Sequence, residues 1–384
     1  MSFDTIIPMK IALVHDQLFE FGGAERVFVV LAKIFPQACI YTAFADKNKL
    51  SAFAPELTNR NIKTSWIQKI PMITRIYSPL RFLAPKIWES FDFSNYDLVI
   101  SSSGWYMCKG IKTKEPTIHI SYIHHPPRYL YGYETAMQWR KYWPIKIYGN
   151  LINHFLRMWD FKGSKRPDYI IVNSQETKRR IEKFYRRDAM VIYPPVHIPE
   201  HIKDTSFKGK FSGYFVTVSR LQKAKHVEII IEAANKGNFK LKIIGDGKER
   251  KYLQTIAGPT VEFLGNIPDD QFDKLFAGSK AFLFSSVDEE FGIAPVEAMG
   301  FGVPVIAYKS GGLSETVEDG KNGFLYDQLQ SKSLFQSIKR LNALSQDQYR
   351  KMCLDARKES EKYSEDHFVK EIEKFVGEIA NKSK

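Results

Sequence analysis

The chain has 384 residues, 44% hydrophobic and 26% charged, more than one ordinary core holds, which predicts two soluble domains of roughly 200 residues or slightly fewer. No apolar run reaches the roughly 18 residues a spanning helix needs, and no basic-then-apolar leader is read at the start, so a cytoplasmic protein is expected. Cys39, Cys108 and Cys353 are odd in number and scattered, which argues against a disulfide framework or a zinc site and for reduced thiols. Of the net charge of +13, residues 1–200 carry +11, from 28 basic against 17 acidic side chains. That half suits an acidic partner, and lipid headgroups, a diphosphate-bearing substrate and nucleic acid all remain open.

In chain order, the β-branched run 10–15 precedes an amphipathic stretch in which Val27, Phe28, Leu31, Ile34 and Phe35 share a helical face, a βα unit. Further strands are expected at 97–101, 118–123, 168–173 and 189–193, each bounded by turn or helix signals. A second series at 214–219, 240–245, 261–264, 281–285 and 303–307 is spaced for crossover helices. Two doubly wound α/β domains in tandem follow. The prolines of Tyr193-Pro-Pro-Val196 and the aperiodic polar stretch to Gly213 place the boundary near 199. The expected domains are 1–198 and 199–363, with a last helix at about 364–382, carrying Phe368, Ile372, Phe375, Val376 and Ile379, that returns to the first domain.

The segment from Ser285 to Met299 follows a buried strand and opens a helix, with Pro295 at an expected first helical position. Free N–H groups near Phe291, Gly292, Ile293 and Ala294 suit an anion, and Gly292 permits close approach to the main chain. Glu289 and Glu297 flank them, and carboxylates accept well from vicinal sugar hydroxyls. The plainer alternatives are a solvated loop charge and a helix-start acid. Arg220 and Lys225, just after a strand, supply the cations that a departing nucleoside diphosphate requires without a metal, unless they form only a solvated basic turn. Gly245, in Gly245-Asp-Gly247, is a candidate lining residue of the nucleotide pocket.

Arg220 and Lys225 five apart after a strand, followed by Glu289, seven residues and Glu297, resemble the retaining family-four glycosyltransferases of GT-B fold. Ser310–Val317 and Asn322–Tyr326 resemble further segments of that family. The resemblance implies two Rossmann-like domains facing a central cleft. It assigns Glu289 and the backbone after it to the donor sugar, Glu297 to the ribose, and Arg220 and Lys225 to the diphosphate. Glu290 stands where many members have glycine.

In the first half, Gly22 and Gly23 open a helix after the first strand and resemble the family's glycine loop, a second phosphate or acceptor candidate. His124, Pro126, Arg128 and Tyr129 fit the strand-end pattern His-x-Pro-x-Arg-Tyr of bacterial mannosyltransferases of polysaccharide and O-antigen assembly. His124 is the catalytic candidate, Arg128 and Tyr129 are placed on the acceptor side, and His125 is read as structural. Residues 62–91 interleave apolar and basic side chains, which suits a membrane surface and equally a core with a basic rim. Tyr131, Tyr133, Trp139, Tyr142, Trp143 and Tyr148 stack on acceptor sugars or simply pack.

The expectation is therefore a retaining, metal-independent hexosyltransferase without a cofactor. It moves mannose from GDP-mannose to a glycan or a polyprenyl-diphosphate-linked oligosaccharide in cell-surface polysaccharide synthesis. It is expected in the cytoplasm, peripheral on the inner face of the plasma membrane. A UDP-sugar-dependent transferase, a sugar-nucleotide epimerase, a phosphorylase and, from another class, a basic nucleic-acid-binding protein are the alternatives, the last without any recognised nucleic-acid module.

Overall fold

The computed structural model describes residues 9–134, 143–200 and 213–382. It divides into two compact units, one made of Met1–Pro195 with Asp366–Lys384 and the other of Val196–Glu365. In the first unit seven parallel strands, β1 (Ile11–His15), β2 (Cys39–Thr42), β3 (Ile62–Thr64), β4 (Leu98–Ser103), β5 (Ile118–Ile123), β6 (Tyr169–Val172) and β7 (Met190–Val191), run in the order 3-2-1-4-5-6-7. The near-continuous burial of β1, β4 and β5 is what a parallel sheet covered on both faces requires. Strands β2 and β3 escape the sequence reading. Each has only three or four residues, and exposed Lys63 and Thr64 give the edge strand β3 no apolar alternation to read.

Helix α1 (Gly23–Ile34) buries Val27, Phe28, Leu31 and Ile34 against the β1 sheet. The Arg60 guanidinium donates to the carbonyls of Ala32, Phe35 and Ala38, tying down the end of α1 and the turn that follows it. Helix α2 (Trp143–Gly163) turns Asn153, Leu156 and Asp160 inward. There Lys109 pairs with Asp160, whose other oxygen accepts from the Tyr131 and Tyr185 hydroxyls at 2.7 and 2.8 Å. A buried ion pair persists only when its remaining lone pairs are satisfied in this way.

The second unit repeats the winding with six parallel strands, β8 (Tyr214–Val218), β9 (Leu241–Ile244), β10 (Val261–Gly265), β11 (Ser279–Phe284), β12 (Val305–Tyr308) and β13 (Gly323–Tyr326). Their order is 10-9-8-11-12-13, so the winding reverses between β8 and β11, where open α/β sheets leave a crevice at their carboxyl ends. Helix α3 (Val227–Gly237) follows the β8 loop and α4 (Ile293–Gly300) the β11 loop. The last helix, α5 (Glu365–Lys382), lays Phe368, Ile372, Val376 and Ile379 into the core of the first unit beside Leu13, Phe28 and Tyr122. The steps of four and three keep those side chains on one helical face.

Candidate active site

At the β8/β11 reversal two loops meet. Lys225 donates to Glu289 Oε2 at 2.6 Å and to Ser286 Oγ at 3.3 Å, and Ser286 Oγ donates to the same Glu289 oxygen at 2.7 Å. The main chain joins in, with the Val287 N–H donating to the Ala224 carbonyl at 3.4 Å. Arg220 stands exposed on the β8 loop, five residues before Lys225. Lys225 and the first carboxylate thus meet at these strand ends in short, charge-assisted hydrogen bonds, and Arg220 lies on the same β8 loop.

Each loop is held by a glycine clasp. A Cβ on Gly245, whose φ is +117°, would lie 2.0 Å from the Ser219 carbonyl oxygen, and one on Gly247 2.3 Å from that of Leu221. Across the reversal, a Cβ on Gly311, at φ +59°, would lie 2.0 Å from the Glu289 carbonyl oxygen. Gly312 N–H donates to that same oxygen at 2.8 Å, and Asp288 N–H donates to Ser310 Oγ at 3.0 Å. These contacts make Gly245 a support beneath the Arg220 loop. The sequence singled out Ser310–Val317 without exposing that clasp, because a close approach between backbones leaves no periodic trace.

Gly292 caps α4 in the left-handed region, at φ +91°. Ile293 and Ala294 are the first two helical residues and Pro295 the third, not the first. The missing proline N–H still falls among those that a helix start leaves unpaired. The helix start therefore presents the Ile293 and Ala294 N–H groups with the positive end of the helix dipole. Phe291 is buried, its ring edge-on to Tyr363 at 5.2 Å, so its side chain belongs to the core and only its backbone is available. Glu297 lies in the second turn of α4.

In the first unit, His15 of β1, Ser102 of β4 and His124 after β5 form a chain across three strand ends. His15 Nδ1 lies 3.0 Å from Ser102 Oγ, which lies 2.8 Å from His124 Nε2. His15 Nε2 is 3.6 Å from Glu25 Oε1, on the first turn of α1 behind Gly22 and Gly23. The Asp16 carboxylate accepts from the N–H groups of Gly104, Tyr106 and Cys108, fixing the β1 loop to the β4 loop. Neither His15 nor Ser102 was singled out from sequence, since a strand-end histidine carries no motif of its own.

Arg128 opens a short helical turn. Tyr129 packs against the first unit's core and donates to the Trp105 carbonyl at 3.3 Å. Burial pushes its hydroxyl well above the usual tyrosine range. Of the aromatic group, Trp139 and Tyr142 lie outside the described residues. Tyr131 is tied to Asp160, Tyr133 sits beneath the Arg180 guanidinium, and Trp143 and Tyr148 are exposed. In 62–91 the apolar side chains divide, with Ile67, Ile73, Ile87 and Trp88 in the core and Trp66, Met72, Ile76 and Phe82 exposed.

Residues 21–199 match the family described as Glycosyltransferase Family 4, and residues 199–362 match Glycosyl transferases group 1. The chain belongs to the family-4 glycosyltransferases. It is similar to an uncharacterized glycosyltransferase of Methanocaldococcus jannaschii, 31% identical over 226 residues, covering 57% of this chain and 62% of that one. An alpha-1,3/1,6-mannosyltransferase of Schizosaccharomyces pombe is 25% identical over 373 residues, covering 83% and 71%. Less than two thirds of the archaeal relative's length is thus spanned.

Among solved structures, sucrose-phosphate synthase from Thermosynechococcus elongatus superposes with a TM-score of 0.72 at 15% identity, covering 96% of this chain and 98% of that one. Anabaena HepE in complex with UDP and glucose gives 0.67 at 20%, covering 96% and 99%. At such identities the likeness establishes the fold, two Rossmann-like parallel-sheet domains of the GT-B glycosyltransferases. Family membership decides for a glycosyltransferase over the epimerase, phosphorylase and nucleic-acid-binding alternatives.

Proposed function

We propose that this glycosyltransferase moves mannose from GDP-mannose, with retention, to a glycan or polyprenyl-diphosphate-linked oligosaccharide in cell-surface polysaccharide synthesis. The observation that carries the reading is the Lys225–Glu289 pair at the β8/β11 reversal, a cation and a carboxylate 2.6 Å apart at the strand ends, with Arg220 on the loop that carries Lys225. A nucleoside diphosphate takes Lys225 and Arg220, which frees Glu289 to accept from sugar hydroxyls, with the Gly292–Ala294 backbone beside it and Glu297 on the ribose. The acceptor oxygen attacks the anomeric carbon from the side of the leaving diphosphate. Its proton passes to the departing β-phosphate oxygen as the old carbon–oxygen bond breaks, so no protein nucleophile is used.

His124 is assigned to the reaction and Arg128 to the acceptor side, Tyr129 contributing through packing. The diphosphate's charge is met by Arg220 and Lys225 without a metal. Among the described residues no three His, Cys, Asp or Glu side chains gather as a ligand set. The mannose reading draws support from the Schizosaccharomyces pombe relative and from a GDP-mannose-dependent alpha-mannosyltransferase of Corynebacterium glutamicum, 33% identical over 124 residues.

A UDP-sugar donor is the second reading, favoured by the likeness to HepE solved with UDP and glucose. Thermal shift with GDP-mannose, UDP-glucose and ADP-glucose separates them, since a donor far above its Kd stabilises by a few kcal/mol. A shift with UDP-glucose alone selects the second reading, and no shift with any of the three overturns both. The enzyme works in the cytoplasm, peripheral to the inner face of the plasma membrane. No helix among the described residues is long and apolar enough to cross a membrane.

A further inference from the structure

Helix α2 is apolar on two faces. The inner one, with Leu156 and Trp159, packs into the first unit. On the opposite side Trp143, Ile147, Leu151, Phe155 and Met158 are 75%, 53%, 69%, 50% and 49% exposed. Their steps of four, four, four and three place them on one face. The stripe runs about 22 Å at a rise of 1.5 Å per residue. Single exposed apolar side chains are ordinary on a protein surface, whereas a continuous row marks an interaction surface.

Charge identifies the occupant. Lys146 and Lys162 are exposed along the same helix and Arg157 donates its Nε to the Leu130 carbonyl at 2.9 Å, while the helix's only acidic residue, Asp160, is buried against Lys109. Residues 1–200 carry +11 in all. The N-terminal end of the stripe continues toward a second exposed apolar group, since the Tyr148 hydroxyl donates to the Pro79 carbonyl at 2.8 Å, on the turn that carries Phe82. Apolar side chains on a helix that exposes lysines and no acidic residue fit an anionic leaflet, whereas a second copy of the chain would bring its own positive charge to the contact.

We propose that α2 lies in the plane of an anionic bilayer surface. Trp143, Ile147, Leu151 and Phe155 enter the boundary between headgroups and acyl chains, and Lys146 and Lys162 meet the lipid phosphates. This moves the membrane surface from residues 62–91, whose large apolar side chains are mostly buried or part-buried, to a helix of which only Trp143 and Tyr148 were expected to stack on sugars or pack. It deepens the reading of a lipid-linked acceptor, on which its purpose rests, while the binding itself does not depend on the donor.

The test is co-sedimentation of the full chain with phosphatidylcholine vesicles, with and without phosphatidylglycerol. Binding is expected only to the anionic vesicles and falls with added salt. Leu151→Asp with Phe155→Asp lowers the bound fraction about tenfold or more, with an unchanged melting curve, and Lys146→Glu with Lys162→Glu is an independent second variant. The proposal is overturned by wild-type protein that ignores anionic vesicles, by undiminished binding of either folded variant, or by a dimer in light scattering that Leu151→Asp abolishes. Donor thermal shifts on the same preparations report on the transferase reading separately, so either result can fail while the other stands.

Discussion

The two units wind their sheets alike and use the reversal differently. Between β8 and β11 the strand ends carry a cation and a carboxylate on glycine-clasped loops, Lys225 against Glu289. Between β1 and β4 they carry a buried hydrogen-bonded chain, His15–Ser102–His124, beside an Asp16 carboxylate that accepts three main-chain N–H groups. One fold therefore supplies two kinds of site. The first holds charge that a polyanion can exchange, and the second holds imidazoles in fixed orientations.

The sharpest way to break this comparison is Lys225→Ala, expected to lower turnover by about 10²-fold or more because the leaving diphosphate loses its cation. Unchanged initial rates would remove the second unit's claim to the donor. Next comes Gly311→Val, which forces a side chain into the Glu289 carbonyl at a positive φ. A loss of about 2 kcal/mol is expected in urea melts, together with weakened donor binding. A variant that melts and binds like wild type would show that the clasp does not hold the loop.

Ser102→Ala tests the other unit. It leaves His15 Nδ1 and His124 Nε2 without their shared hydroxyl, for an expected cost of about 1–3 kcal/mol with donor affinity retained. Equal losses of donor affinity and stability would contradict the division of labour. The smallest effect near neutral pH concerns His119, whose pKa is lowered from 6.5 to about 3 by burial and then by Arg187 and Arg166. The unfolded chain takes up that proton first, so the stability it contributes is complete above pH 6.5 and is lost as the pH falls toward 3. The slope is at most about 1.4 kcal/mol per pH unit, and His119→Gln should flatten it in melts across that range.

Residues that act through type and spacing were readable in the sequence. Arg220, Lys225, Glu289 and Glu297 carry their pattern in one dimension, and most strands of both sheets announce themselves by apolar runs. What escaped depends on contacts between distant segments. Ser286 matters because Lys225, 61 residues earlier, reaches it. Ser102 matters because histidines from two other strands flank it. The buried Phe291 ring and the outward row on α2 show the converse, that apolar side chains reveal their face only once their neighbours are known.

Helix α5 has a consequence for biosynthesis. The first unit takes Phe368, Ile372, Val376 and Ile379 into its core, so its strands emerge from the ribosome long before that core can close. The second unit, encoded in between, has all of its strands available earlier. The first-made half is thus the last completed, and a chain stopped before Asp366 leaves an apolar trough across its oldest sheet. Chaperones and proteases would meet that trough first in a truncated or stalled product.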